Sequence, residues 1–268
     1  MIVKAKSKSS QWEELAETPV SALKRRGIHM DIIGAEGEGK SSAALTLAAL
    51  GPIAYINIDH SVDRARYPED PKSKKNVKIH RVNYATVVGE AQTKAAAMPA
   101  WNDANTKLHE ACKSFAVGAV VDTVTEDWEL LRLGVFGTVT PKGRTDRLYG
   151  PVNAKFRNHL RDVTRVYKKH LITLTQLKDE YKDVVDRATG QKASVKTGKK
   201  IPVGFKEVGY LADIRLRVSH SGPLFTATVE ICKIGRGPVL EGHEFEDDEI
   251  DFANIIATVT GTKRKEWL

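Results

Sequence analysis

At 268 residues, with 41% hydrophobic and 28% charged residues, the chain has the composition of a folded globular protein and the length for one sizeable α/β domain rather than two full ones. No apolar run approaches the roughly 20 residues of a membrane span, the N-terminus lacks the apolar stretch of a secretory signal, and two distant cysteines, Cys112 and Cys232, offer no zinc site and fit buried positions in a reducing, cytoplasmic compartment. The net charge of +8 favours a polyanionic partner, because clustered Lys and Arg release counterions from phosphates, but only their distribution can identify one.

In chain order, residues 11–26 read as a short helix broken near Pro19, behind a basic tail. Residues 28–34 read as a strand, 40–50 as a helix and 53–59 as a second strand ending in acid. Residues 67–84 are rich in charge and read as a surface connection, followed by two helices, 85–98 and 102–115, separated at Pro99. The continuously apolar run 116–122 suits a strand covered on both faces. Apolar residues at helical spacing mark 150–170, and 171–176 is another buried strand. Residues 177–206, rich in Lys and Gly, read as a mobile loop or a hairpin. Strands at 213–219 and 224–232, joined by a turn at 220–223, precede an acidic run over 241–251 and a final helix over 251–261.

Between the first strand and the first helix lies Gly34-Ala-Glu-Gly-Glu-Gly-Lys40-Ser41, which satisfies G-x-x-x-x-G-K-[ST]. The glycines let successive backbone N–H groups turn onto phosphate oxygens, Lys40 reaches the β and γ phosphates, and Ser41 ligates Mg²⁺. The helix beginning there adds its positive dipole end. The expected nucleotide-binding set is therefore Gly34, Gly37, Glu38, Gly39, Lys40, Ser41 and Ser42. Glu36 and Glu38 are unusual beside a polyphosphate and would repel it unless turned to solvent or to a partner subunit. Hydrolysis further needs an acid to organise the metal and one to orient water. Asp122, ending the strand over 116–122, is the candidate for the first, and Asp59 for the second.

The segment Ala-Tyr-Ile-Asn-Ile-Asp59-His60-Ser-Val-Asp63 resembles the RecA-family strand that ends in a catalytic acid, followed by His and Asp, although that acid is usually Glu. The segment 171–176 resembles the RecA strand whose terminal Gln, here Gln176, senses the γ-phosphate and leads into a DNA-binding loop. In order and spacing, Ile28 to Gly237 resembles a phage-encoded family of short P-loop proteins described as RecA-like single-strand annealing recombinases or AAA-type nucleotide-binding proteins. The resemblance implies an α/β RecA-like P-loop NTPase fold, with a mainly parallel central sheet flanked by helices and an antiparallel C-terminal hairpin. It implies ATP and Mg²⁺ as cofactors, and host cytoplasm as the location if the chain is phage-encoded. An Ala212-Asp213 pair also matches the family, with a structural turn as its simplest use. Late-strand basic residues of hexameric helicases and RecA-like relatives reach a neighbour's γ-phosphate, a position that Lys233 and Arg236 resemble. That role implies a homo-oligomer, ring or filament.

Two segments suit single-stranded DNA: Lys142, Arg144 and Arg147 with Tyr149, a phosphate-plus-stacking mixture, and the basic stretch holding Lys192, Lys196, Lys199 and Lys200. Lysines kept for solubility are the plainer alternative. The expected organisation is an N-terminal extension over 1–27, an ATPase core over 28–240, and an acidic loop with a C-terminal helix over 241–268. Three functions fit: an ATP-dependent recombinase promoting annealing or strand exchange, with a single-strand-binding or annealing protein as a possible collaborator; an oligomeric nucleotide-gated DNA clamp or loader with weak hydrolysis; and, with least support, a small-molecule phosphotransferase.

Overall fold

The structure, a computed structural model, describes residues 26–67, 69–139, 146–185, 192–235 and 237–268. The helix expected over 11–26 lies outside the described residues except for Arg26.

Among the described residues, nine strands form one sheet in the order β3-β2-β4-β5-β1-β7-β8-β9, with β6 pairing only β5. Strands β1 (His29–Gly34), β2 (Ile53–Asn57), β4 (Gly118–Asp122) and the first half of β5 (His170–Val185) are parallel and central. Their apolar continuity follows from cover on both faces. Strand β7 (Ile214–Ser221) is parallel to β1, and β8 (Leu224–Cys232) and β9 (Glu244–Glu246) continue antiparallel. The α/β expectation is met: a mainly parallel sheet flanked by helices, with an antiparallel hairpin toward the C-terminus.

Period-two alternation divides the core. Met30, Ile32, Tyr55, Val120 and Ile172 face a cluster completed by helices α1 (Lys40–Leu45) and, from the C-terminal segment, Phe252, Ile255 and Ile256. Ala54, Ile56, Ala119, Val121 and Leu171 face the other way. There they meet α3 (Lys94–Ser114), α4 (Val124–Phe136) and α5 (Asp146–Arg165), after a short helix α2 (Pro71–Asn76) on the way from β2.

Three features differ from the sequence expectation, and a fourth decides between two alternatives it left open. The surface connection over 67–84 contains α2 and an edge strand, β3 (Val77–Arg81), whose Lys78, His80 and Arg81 gave it a loop's polarity. Charged residues are how an exposed edge avoids pairing with another chain. Pro99 does not break α3, which runs from Lys94 to Ser114 with the proline inside. An interior proline costs about 3 kcal/mol, whereas burying Trp101 and Leu108 contributes about 1.5–3 kcal/mol each, so the apolar seam carries the helix through. Helix α4 lies where the sequence analysis places no element; Thr123 caps it, its side chain accepting from Glu126 N–H. Finally, β5 continues beyond Gln176 and pairs with β6 (Lys192–Pro202), giving the hairpin rather than the loop.

Short helix α6 (Val208–Leu211) joins β6 to β7, and α7 (Phe252–Thr260) follows β9. Strand β9 and α7, from the segment 241–268, extend the sheet and pack on its core.

Candidate nucleotide-phosphate site

The parallel strands present their C-terminal ends along one edge, and the glycine loop, Asp122 and Gln176 all lie there. Gly37 and Gly39 adopt φ values of 80° and 85°, which a side chain resists, and this allows the loop to turn into α1. Lys40 is 8% exposed, and its Nζ donates to the carbonyls of Gly34 (3.0 Å) and Ala35 (2.6 Å). Burial lowers its pKa, while the negative charges of Asp122, Glu38, Asp59 and Glu36 oppose that shift.

Ser41 Oγ donates to Asp122 Oδ2 at 2.9 Å, joining the loop to the end of β4. Ser61 Oγ donates to the same oxygen at 2.6 Å and lies 2.9 Å from Ser41 Oγ, and the buried Tyr55 hydroxyl donates there too. Asp122 is fully buried, and its Oδ1 has no hydrogen-bond partner among the described residues. Burial, and then the charge of Asp59, raises its pKa, while the three hydroxyls lower it. Asp59 sits just past β2, with Oδ1 accepting Ser61 N–H at 2.8 Å.

These groups fit Mg²⁺. It keeps much of its water and takes few carboxylates alongside phosphate oxygens, which suits one buried carboxylate with a free oxygen beside two hydroxyls. No cluster of three or more His, Cys, Asp or Glu side chains suited to a metal occurs among the described residues.

Gln176 pairs in register with Gly34, so it stands beside the start of the loop. Its N–H bonds Thr125 Oγ1 at 3.3 Å, and its carbonyl accepts Val203 N–H at 2.9 Å, at the base of the hairpin. Glu126, in the first turn of α4, lies beside the Gln176 side chain. Burial, with the charges of Asp59, Glu129 and Asp122, pushes the Glu126 carboxyl up to about 8.

The two loop acids are accounted for. Glu38 turns back so that its carboxylate accepts Ala35 N–H, with Lys200 of β6 at 3.6 Å from its other oxygen. Glu36 lies in solvent, 3.5 Å from Arg64. Ser42 Oγ accepts Arg66 N–H at 2.9 Å. Asp63 forms a two-pronged pair with Arg81 of β3, at 2.9 and 2.7 Å.

Other expected residues lie elsewhere or are used differently. Lys233, read as a finger toward a neighbour, is turned into its own chain: Nζ donates to the carbonyls of Gly209, Tyr210 and Ala212 at 2.8, 2.9 and 2.8 Å. A lysine at the end of a helix satisfies carbonyls that the helix leaves unpaired. Arg236 lies outside the described residues, as do Lys142 and Arg144. Arg147 lies in the first turn of α5. Tyr149 packs its ring on Phe136, centroids 5.0 Å apart, rather than standing free to stack on a base. Lys192 begins β6, Lys199 is exposed, and Lys196 pairs with Asp179 at 2.7 Å across the hairpin. Asp213 has the structural use: it accepts His29 N–H at 2.9 Å and pairs with Arg26.

Sequence reasoning missed Tyr55, Ser61 and Glu126. Ser61 lies in the segment already singled out for Asp59, and a hydroxyl two residues past that acid was a usable signal. Tyr55 reads as a core residue of β2, and nothing local distinguishes Glu126 from any acid opening a helix. Also unforeseen is a cleft of about 670 Å³ beside α1, lined by residues that include Gly39, Ser42, Tyr67, Phe225 and Asp248.

A glycine loop turning from a central parallel strand into a helix, tied through its serine to an acid on a nearby strand, defines a P-loop nucleotide-binding domain. A family model described as the AAA domain matches residues 26–231, and the chain belongs to that family. No curated protein matches the chain. Among solved structures, the crystal structure of the RadB recombinase is similar at 16% identity and a TM-score of 0.47, covering 85% of this chain and 91% of that one.

Proposed function

We propose that the protein binds and hydrolyses ATP as a RecA-like DNA recombination protein, holding single-stranded DNA and promoting annealing or strand exchange as a homo-oligomer. The observation that carries the nucleotide half is the Ser41–Asp122 hydrogen bond, which joins the glycine loop to a buried carboxylate with one oxygen unpartnered. The DNA half rests on the exposed, lysine-bearing hairpin leading out of Gln176, and on the net charge of +8.

In this reading the backbone N–H groups of Gly37 to Ser41 cradle the phosphates, and Lys40 leaves the Gly34 and Ala35 carbonyls for the β and γ oxygens. Ser41 and Asp122 would hold Mg²⁺, with Ser61 beside them. With Mg²⁺ bound there, the site would gain positive charge against the phosphates. Asp59 orients the attacking water, and Gln176 touches the terminal phosphate. The nucleoside lies in the cleft beside α1, against Tyr67 and Phe225.

A second reading, a nucleotide-gated DNA clamp or loader with weak hydrolysis, is favoured by one observation: the Lys233 ammonium is already committed to three carbonyls of its own chain. ATP hydrolysis with Mg²⁺, measured with and without single-stranded DNA over a range of protein concentrations, separates the two. Stimulation by DNA that steepens with protein concentration supports the recombinase. Bound nucleotide with no stimulation supports the clamp, and no nucleotide binding refutes both.

A further inference from the structure

Helix α4 approaches the phosphate site from a side that no motif marks. Its N-cap, Thr123, follows Asp122 directly, and the Thr123 side chain accepts Glu126 N–H at 3.3 Å, fixing the first turn. Thr125 in that turn is a junction. Its Oγ1 accepts Gln176 N–H at 3.3 Å and donates to the Val203 carbonyl at 3.1 Å, while Val203 N–H returns to the Gln176 carbonyl at 2.9 Å. The start of α4, the point where β5 passes from β1 to β6, and the end of β6 are thus stitched together.

Glu126 is the next residue. Its carboxyl lies beside the Gln176 side chain, and its Oε2 is buried with no hydrogen-bond partner among the described residues. Leaving a buried carboxyl oxygen unpaired beside Asp59 and Asp122 is costly, so a purely structural account of this residue is poor. A hydrophobic side chain would serve packing better.

We propose that Glu126 is a positioning residue for the phosphate site: it holds the Gln176 carboxamide toward the terminal phosphate, so that discrimination between nucleoside triphosphate and diphosphate depends on a helix outside the glycine loop. The inference rests on the nucleotide-binding reading above, and adds a residue and a role to it.

The test measures affinity for ATP and ADP, using fluorescently labelled nucleotides in the presence of Mg²⁺, for the full chain and for Glu126→Ala, Glu126→Gln, Gln176→Ala and the double alanine variant. One lost neutral hydrogen bond corresponds to roughly a 10-fold effect at most. The expected result is that Glu126→Ala lowers the ATP-over-ADP preference several-fold and by the same factor as Gln176→Ala. The double variant should be no worse than either single one, and Glu126→Gln should retain most of the preference. An unchanged preference in Glu126→Ala, or effects that multiply in the double variant, overturns the proposal even if the variant is less stable. If the unmodified chain binds neither nucleotide and Lys40→Ala changes nothing, the nucleotide-binding reading fails, and this inference with it.

Discussion

Removing Arg215 should destabilise the fold strongly and in a pH-dependent way. Asp31, at the centre of β1, is fully buried, and its Oδ2 takes Arg215 Nε at 2.9 Å and Nη2 at 2.8 Å. Its Oδ1 is served by the Thr173 and Thr175 hydroxyls at 3.0 and 2.7 Å. Burial raises the Asp31 pKa, and the charge of Arg215 is the largest influence opposing that rise. Arg215→Ala strands the carboxylate, a loss of about 3–5 kcal/mol for breaking a buried pair, or a melting temperature lower by roughly 10 °C. Without its partner, the folded-state carboxyl holds a proton that the unfolded chain releases near its ordinary value of 3.8. The deficit therefore grows as pH rises above that value, and is larger at pH 8 than at pH 5. Urea unfolding followed by circular dichroism at both pH values reads this directly, and Asp31→Asn combined with Arg215→Ala should recover much of the loss at pH 8. A loss under 1 kcal/mol at pH 8, or one larger at pH 5, would refute the reasoning.

Lys40→Ala should lower nucleotide affinity at least 100-fold with an unchanged circular dichroism spectrum, as titration with a labelled nucleotide would record; retained affinity would remove the glycine loop from the site. Burial lowers the His170 pKa from 6.5 to about 4, so the unfolded chain takes up a proton between those values that the fold refuses, and stability falls as pH drops from 6.5 toward 4. Comparing His170→Leu with the unmodified chain, the difference should move in the variant's favour over that range by up to about 3 kcal/mol in urea unfolding. Lys199→Glu on the exposed hairpin should weaken single-stranded DNA binding and reduce the slope of log affinity against log salt by about 1, measured by fluorescence anisotropy. An unchanged slope would separate that lysine from the DNA. Gly39→Ala should abolish nucleotide binding, because φ there is 85° and a Cβ would lie 3.0 Å from the Phe225 ring; binding as tight as in the unmodified chain would refute that.

What could be read from the sequence was local in the chain. The glycine loop is contiguous, its chemistry depends on spacing alone, and an apolar run ending in acid carried β4 and Asp122. Helix α4 was not legible because its buried Val124, Trp128 and Leu131 alternate with acids and threonines that gave its start the look of a turn. Tyr55, Ser61 and Glu126 reach the site only once β2, β4 and β5 are placed side by side, which no local pattern states. Lys233 shows the opposite limit: a basic residue on a late strand has the same sequence signature whether its ammonium reaches a neighbour or closes a helix of its own chain.

Strand β5 leads two lives. From His170 to Gln176 it is clamped between β1 and β4, and from Leu177 to Val185 it has only β6 for company, projecting about 30 Å at the usual rise per residue. Tyr181, Val184 and Val195 on this ribbon are at least half exposed, so little core burial holds it. The outer arm is thus energetically separate from the inner one: a protease that severs the ribbon would leave its root locked in the sheet, and the nicked molecule would remain one folded body with two covalent pieces.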